Sequence, residues 1–122
     1  MTAKEYLKDI SALRHRIINA AYEVHALREM SDRLRDVDGA EEQLELRETK
    51  LLCEIRQFRL TVEDAEAMIY RLDPRYSDIL YRRYICDLPW RLISEDLHYD
   101  ISYVFKLHGQ ALQEFDKFLN RP

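Results

Sequence analysis

Three arginines, Arg82, Arg83 and Arg91, lie close together in the C-terminal third of the chain. A guanidinium presents a planar fork of donors matched to phosphate or carboxylate oxygens, so such a cluster suits backbone contact with a polyanion. The other reading of these residues is a solvated face, or pairing with Asp87 and Glu95. Lys106 adds a fourth cation further on, and Ser102 and Tyr103 near it carry hydroxyls that can donate or accept hydrogen bonds. Catalytic chemistry has no comparable constellation. The chain has no phosphate-cradling glycine loop, no H-E-x-x-H and no nucleophile elbow, so a non-enzyme is expected. His15 and His25 fall on different faces of one helix, and His98 and His108 are not at i,i+4 spacing, so neither metal nor cofactor is expected. His108, next to the buried face of its helix, is expected to anchor that helix to a neighbour. Cys53 and Cys86 lie in different segments outside any C-x-x-C pair and read as reduced thiols.

The element that must position these groups runs from Pro89 to Phe118. It reads as a short helix from Trp90 to Leu97, a turn at His98-Tyr99-Asp100, and a longer helix to Leu119. Trp90, Ile93, Leu97, Tyr99, Val104, Leu107, Ala111, Leu112 and Phe115 would close the two helices on each other. This is the pattern of a helix-turn-helix, whose second helix is offered to a DNA groove. Asp73-Pro74 opens a preceding helix, with Asp73 as N-cap and Pro74 at the first helical position. Tyr76, Ile79, Leu80 and Tyr84 give that helix its apolar face, and Cys86-Asp87-Leu88-Pro89 ends it.

Two long helices come first. Thr2 and Glu5 form a T-x-x-E capping box, and Lys4 to Arg35 holds neither glycine nor proline. Apolar or small residues from Tyr6 and Ile10 through Val24 to Leu34 alternate four and three apart, which is a heptad seam. Leu7, Ile18, Ala21 and Met30 widen it, so this helix is expected to pack on more than one neighbour. Gly39 breaks the pattern, with Asp38 able to cap the helix that follows. From Ala40 to Leu72 a second seam runs through Leu44, Leu51, Ile55, Phe58, Val62, Ala65, Ile69 and Leu72, with the polar Glu48 at one position. The short link makes the pair antiparallel. The expected fold is therefore all-α: a long, coiled-coil-like antiparallel hairpin over 1–73, then a three-helix helix-turn-helix domain over 74–122.

Of the 122 residues 47% are hydrophobic and 34% charged, with two glycines and three prolines, a composition suited to an all-helical soluble protein. No apolar run approaches bilayer length. M-T-A-K-E-Y-L reads as neither signal nor transit peptide, so the cytoplasm is the expected location and no membrane partner is expected. The net charge is −4. From Pro74 onward seven Lys or Arg, Arg121 among them, balance seven Asp or Glu. Sequence-independent affinity for DNA scales with the phosphates neutralised, so this lobe alone should bind weakly.

The C-terminal stretch resembles region four of bacterial sigma factors, through R-R-Y-I, W-x-x-I-x-x-x-L-x-Y and V-x-K-L-H-x-x-A-L-x-x-F. With M-T-A-K-E-Y-L and a long helix at its start, the whole chain is similar to a family of small phage-encoded proteins with such a C-terminus. The ArpU-type regulators of phage late genes belong to the same looser group. The resemblance implies that Ile93 and Leu97 are core positions, that Ser94 lets the two helices approach, and that Tyr99 and Val104 anchor the turn. It also implies that Ile101, Ser102, Phe105 and Lys106 fall where sigma factors present base-reading side chains. Sigma factors usually carry Arg, Glu and Gln-like residues there. His98 replaces the common turn glycine, which would place a non-glycine residue at positive φ, and Pro89 replaces the usual hydroxyl cap.

Two readings follow. In the first the chain is a phage or prophage transcriptional regulator that binds double-stranded DNA. Arg82, Arg83, Arg91 and Lys106 then meet phosphates, Ser102 and Tyr103 meet base edges, and the hairpin forms a homodimer or binds a polymerase subunit. In the second it is a non-enzymatic interaction module that kept the fold but not DNA binding. Ile101, Phe105 and the tyrosines then form an apolar patch for RNA polymerase or another protein.

Overall fold

The computed structural model describes Met1 to Asn120; Arg121 and Pro122, and with them one of the basic residues counted above, lie outside the described residues. The described chain is all-α, without a strand. Its helices are α1 (Ala3–Arg33), α2 (Ala40–Tyr70), α3 (Pro74–Leu80), α4 (Trp90–Leu97) and α5 (Ile101–Leu119), with one π-helical turn, Tyr81–Ile85, following α3. No described helix is long and apolar enough to cross a membrane.

Local chemistry sets the helix ends. The Glu5 N–H donates to Thr2 Oγ1 and the Thr2 N–H to Glu5 Oε2, each at 3.2 Å, so two of the orphan donors at the start of α1 are satisfied reciprocally. Gly39 supplies the left-handed backbone, φ 77°, between α1 and α2. Asp73 caps α3 by accepting the Arg75 N–H at 3.0 Å, with Pro74 in the first turn. α1 stops at Arg33 and α2 at Tyr70, each two residues short of the sequence expectation.

The chain groups into two compact units, one of Leu13–Leu60 and one of Met1–Ala12 together with Thr61 onward. In the first, Ala20, Val24 and Leu51 are buried, with Leu27 and Ile55 packed on them. Glu48, the polar residue in the second seam, accepts Arg28 Nε at 2.8 Å, and Arg47 pairs with Glu23 at 3.0 Å. Both bonds join α1 to α2 and favour one register. Ile18 and Met30 are exposed here rather than extending the buried stripe, because within this unit α1 has a single helical neighbour.

The second unit has the fuller core. Ala3, Leu7 and Ile10 of α1, Val62, Ala65 and Ile69 of α2, and Leu72 just after it are buried along with Ile79, Leu80, Ile93, Val104, Leu107, Ala111 and Phe115. The Tyr6 and Phe115 rings lie 5.7 Å apart, and the Ala3 N–H donates to Asp116 Oδ1 at 2.6 Å. The first turns of α1 therefore share a core with α5, across the boundary expected at residue 73.

Between α4 and α5 the chain turns at His98, in the left-handed region at φ 58°, ψ 39°. The Tyr99 N–H donates to Ser94 O at 3.1 Å and the His98 N–H to Glu95 O at 3.4 Å, the bond pair of a Schellman ending. Ser94 Oγ also donates to Tyr99 O, so this small residue ties the turn as well as sparing space. A left-handed residue with a Cβ carries a penalty of roughly 1–2 kcal/mol, part of which glycine returns through its looser unfolded chain. His98→Gly should therefore raise unfolding stability by about 0.5–1 kcal/mol. Urea denaturation followed by circular dichroism measures this, and a loss of stability would mean that the imidazole contributes more than its backbone costs.

Candidate nucleic-acid interface

α5 is amphipathic over its first three turns. Val104 and Leu107 are buried and Ala111 and Phe115 continue that face, while Ile101, Ser102, Phe105, Lys106 and Gly109 are exposed on the other. Asp100 stands at the N-cap with extended backbone, but its side chain makes no capping bond. The exposed face is thus offered from a helix start that is fixed by the His98 turn and by packing of the opposite side.

The six residues singled out from sequence divide into two groups. Ser102 and Lys106, one turn apart on the exposed face, make no hydrogen bond or ion pair among the described residues, and neither does Arg91 on α4. Tyr103 is exposed at 38%, with its ring edge-on to Tyr99 at 5.0 Å. Arg82 and Arg83 are engaged internally. Arg82 Nε donates to Asp96 Oδ2 at 2.6 Å, and its Nη1 donates to Asp78 O at 3.2 Å. The Asp96 bond, more than any other influence, raises the guanidinium's pKa. Arg83 Nη1 donates to Leu88 O at 3.1 Å, with the guanidinium carbon 4.4 Å from the centre of the Trp90 ring. Glu95, named above as an alternative partner, is not among these groups. Both arginines lie on the π turn, whose Cys86 N–H reaches back five residues to Tyr81 O at 3.0 Å. The extra residue per turn changes the faces that Arg82 and Arg83 occupy relative to an unbroken α-helix.

His108 lies on the flank of α5 between the two faces. Its Nε2 is 2.8 Å from the Tyr84 hydroxyl, and its ring is edge-on to Trp90 at 4.6 Å. Burial, then the charges of Lys4 and Arg83, push its pKa down from 6.5 to about 4, so it is neutral at pH 7. It joins α5 to the π turn and to α4, as a histidine beside a buried face should.

Lys4 and Lys8 were not singled out from sequence. They lie one turn apart on α1 and line the same pocket as Trp90 and His108. Their i,i+4 spacing is legible, but nothing in a heptad seam says that the start of α1 meets α4 and α5. Among the described residues no group of three or more His, Cys, Asp or Glu is placed to hold a metal. Comparison with protein-family models, with characterised proteins and with solved structures yields no match for this chain.

Proposed function

We propose that the chain is a DNA-binding transcriptional regulator of phage type that presents α5 to the major groove, in a long helical hairpin followed by a helix-turn-helix. The observation that carries this reading is the face of α5 just after the His98 turn. Ser102 and Lys106 stand there exposed and unbonded, on a helix whose other side is fixed in the core. The likeness of the tail to sigma region four supports the same assignment. Lys106 and Arg91 contact phosphate, while Ser102 and Tyr103 reach for base edges. Arg82 and Arg83 hold α4 and the π turn in place rather than meeting the duplex. Two cations per copy give a weak grip, which a homodimer through the hairpin offsets by supplying two motifs. Exposed Ile18, Tyr22, Leu46, Leu52 and Leu60 on that hairpin favour such pairing. A cytoplasmic location goes with this function.

A second reading has its own support. Ile101 and Phe105 are exposed at 43% and 49%, and apolar side chains at those positions suit a protein partner such as RNA polymerase.

Salt titration of DNA binding separates the two. Under the first reading, affinity falls as salt rises, and Arg91→Ala with Lys106→Ala lowers the log–log slope by roughly one for each cation removed. The free protein should run at a dimer's mass in solution. An absence of DNA binding at low salt, together with a polymerase complex lost on Ile101→Ser with Phe105→Ser, would establish the second reading instead.

A further inference from the structure

The pocket beside α4 is lined by Lys4, Lys8 and Ser11 of α1, Arg83, Tyr84 and Asp87 of the π turn and the loop after it, Trp90 of α4 and His108 of α5, and encloses about 290 Å³. Four separate parts of the second unit meet there. Lys4, Lys8 and Ser11 follow at i, i+4 and i+7, a single stripe on α1. Arg83 is held by Leu88 O and by the Trp90 face, which uses few of its five donors and fixes the direction of the rest. Three cations converge on a lining with a single carboxylate, Asp87. The same charges reach His108, where Lys4 and Arg83 add to the depression of the imidazole's pKa. Three cations against one carboxylate leave the lining positive by count, which suits an anion.

We infer that this pocket is a phosphate site, in which Lys4, Lys8 and Arg83 hold the oxygens of a phosphoryl group above Trp90, with the Ser11 hydroxyl as a further donor. The ammonium groups serve as charges and the anchored guanidinium as a directional fork. The neutral His108, bonded to Tyr84, and the Trp90 ring form a floor on which the non-phosphate part of a ligand can rest. The pocket is small and open, which suits one phosphoryl group with a little of what it is attached to. Two sources share that chemistry: a phosphodiester of a duplex beside α4, or a free phosphorylated small molecule. The inference does not depend on α5 reading a groove, and its test needs no duplex.

Trp90 is the chain's one tryptophan, so its emission reports on the pocket directly. The full chain is titrated at pH 7.5 with inorganic phosphate, with a nucleoside 5′-monophosphate and with a short duplex, each against sodium chloride at matched ionic strength. The expected result is a saturable change with phosphate that chloride does not give. Lys4→Ala with Lys8→Ala should weaken it roughly tenfold or more, since removing one charge-assisted hydrogen bond costs about that factor. Both lysines are exposed, and circular dichroism checks that the variant is folded. If duplex displaces phosphate, the site belongs to the DNA backbone; if the monophosphate saturates it tightly and duplex does not compete, it serves a free phosphorylated compound. Either result supports a phosphate site. A response no different from chloride for all three probes, or one unchanged in the double variant, overturns it. Loss of DNA binding on changing Arg91 and Lys106 leaves the phosphate titration untouched, so the two proposals fail separately.

Discussion

Phe115→Ala should cost the protein about 4 kcal/mol of unfolding free energy. The ring is fully buried, 5.7 Å from Tyr6, on the turn of α5 whose next residue, Asp116, accepts the Ala3 N–H. Removing it takes away both transfer energy and the packing that joins the first turn of α1 to α5, and helix backbones relax only partly into such a gap. Against a typical total of roughly 5–15 kcal/mol, the loss is large enough to lower the urea midpoint severely. Phe105, on the opposite face and exposed at 49%, is the control. Its alanine variant should cost under about 1 kcal/mol, mostly from the Trp90 ring 5.4 Å away. Circular dichroism and Trp90 emission across a urea gradient measure both. Equal losses in the two variants would mean that α5 does not bury the face carrying Phe115. Lys4 and Lys8 line their pocket from the same turns of α1, so this packing also holds them beside Trp90 and His108.

That dependence of α1 on α5 is where the sequence was least informative. A heptad seam says which face of a helix avoids water, and it served well: Leu51, Val62, Ala65, Ile69 and Leu72 lie buried along the expected line of α2. Caps were equally legible at Thr2 with Glu5 and at Asp73 with Pro74, because each joins near neighbours in the chain. The positive φ at His98 was expected from the glycine that sigma factors commonly carry at this turn, and needs no distant partner. What the seam does not carry is the identity of the neighbour. Leu7 and Ile18 both flank the apolar stripe of α1, yet one is fully buried and the other 39% exposed. The difference is that α5 covers the first turns of α1, and no pattern within α1 encodes it.

The candidate site was legible in the same uneven way. Ser102 and Lys106 lie on the exposed face because the period of α5 puts them opposite Val104 and Leu107. Arg82 and Arg83 were open to two readings, phosphate contact or a solvated or paired face; both are tied down, to partners that were not legible because a π turn leaves no mark in composition or period. Their charges balance on paper without saying where they sit. Summed charge hid the lysines of α1 as well. Counting residues after Pro74 makes the C-terminal part neutral, whereas Lys4 and Lys8 bring two positive charges to the edge of α4.

Those charges give His108 a measurable acid sensitivity, the second large effect expected. With its folded-state pKa pushed down to about 4 from an ordinary 6.5, the imidazole takes up a proton in the unfolded chain before it does in the folded one. Between those two values the unfolded state binds more protons, so stability rises with pH and is lost as pH falls. Above 6.5 the group is neutral in both states and contributes no pH dependence. Fully developed below the folded value of about 4, the loss has an upper bound of about 3 kcal/mol, each pKa unit being worth about 1.4 kcal/mol, and screening by solvent at the partly exposed ring makes it smaller. Carboxylates titrate in the lower part of this window, so the measurement is a difference. His108→Gln keeps an acceptor for the Tyr84 hydroxyl and cannot gain the proton, so its stability should fall less steeply than wild type between about pH 6.5 and 4.5. Lys4→Ala should narrow the gap from the other side, by removing a charge that opposes protonation. Burial remains the larger cause, so the narrowing is partial. Parallel profiles for wild type and His108→Gln would mean that the imidazole is open to water, and that α5 is not held to the π turn and α4 through a buried, neutral histidine.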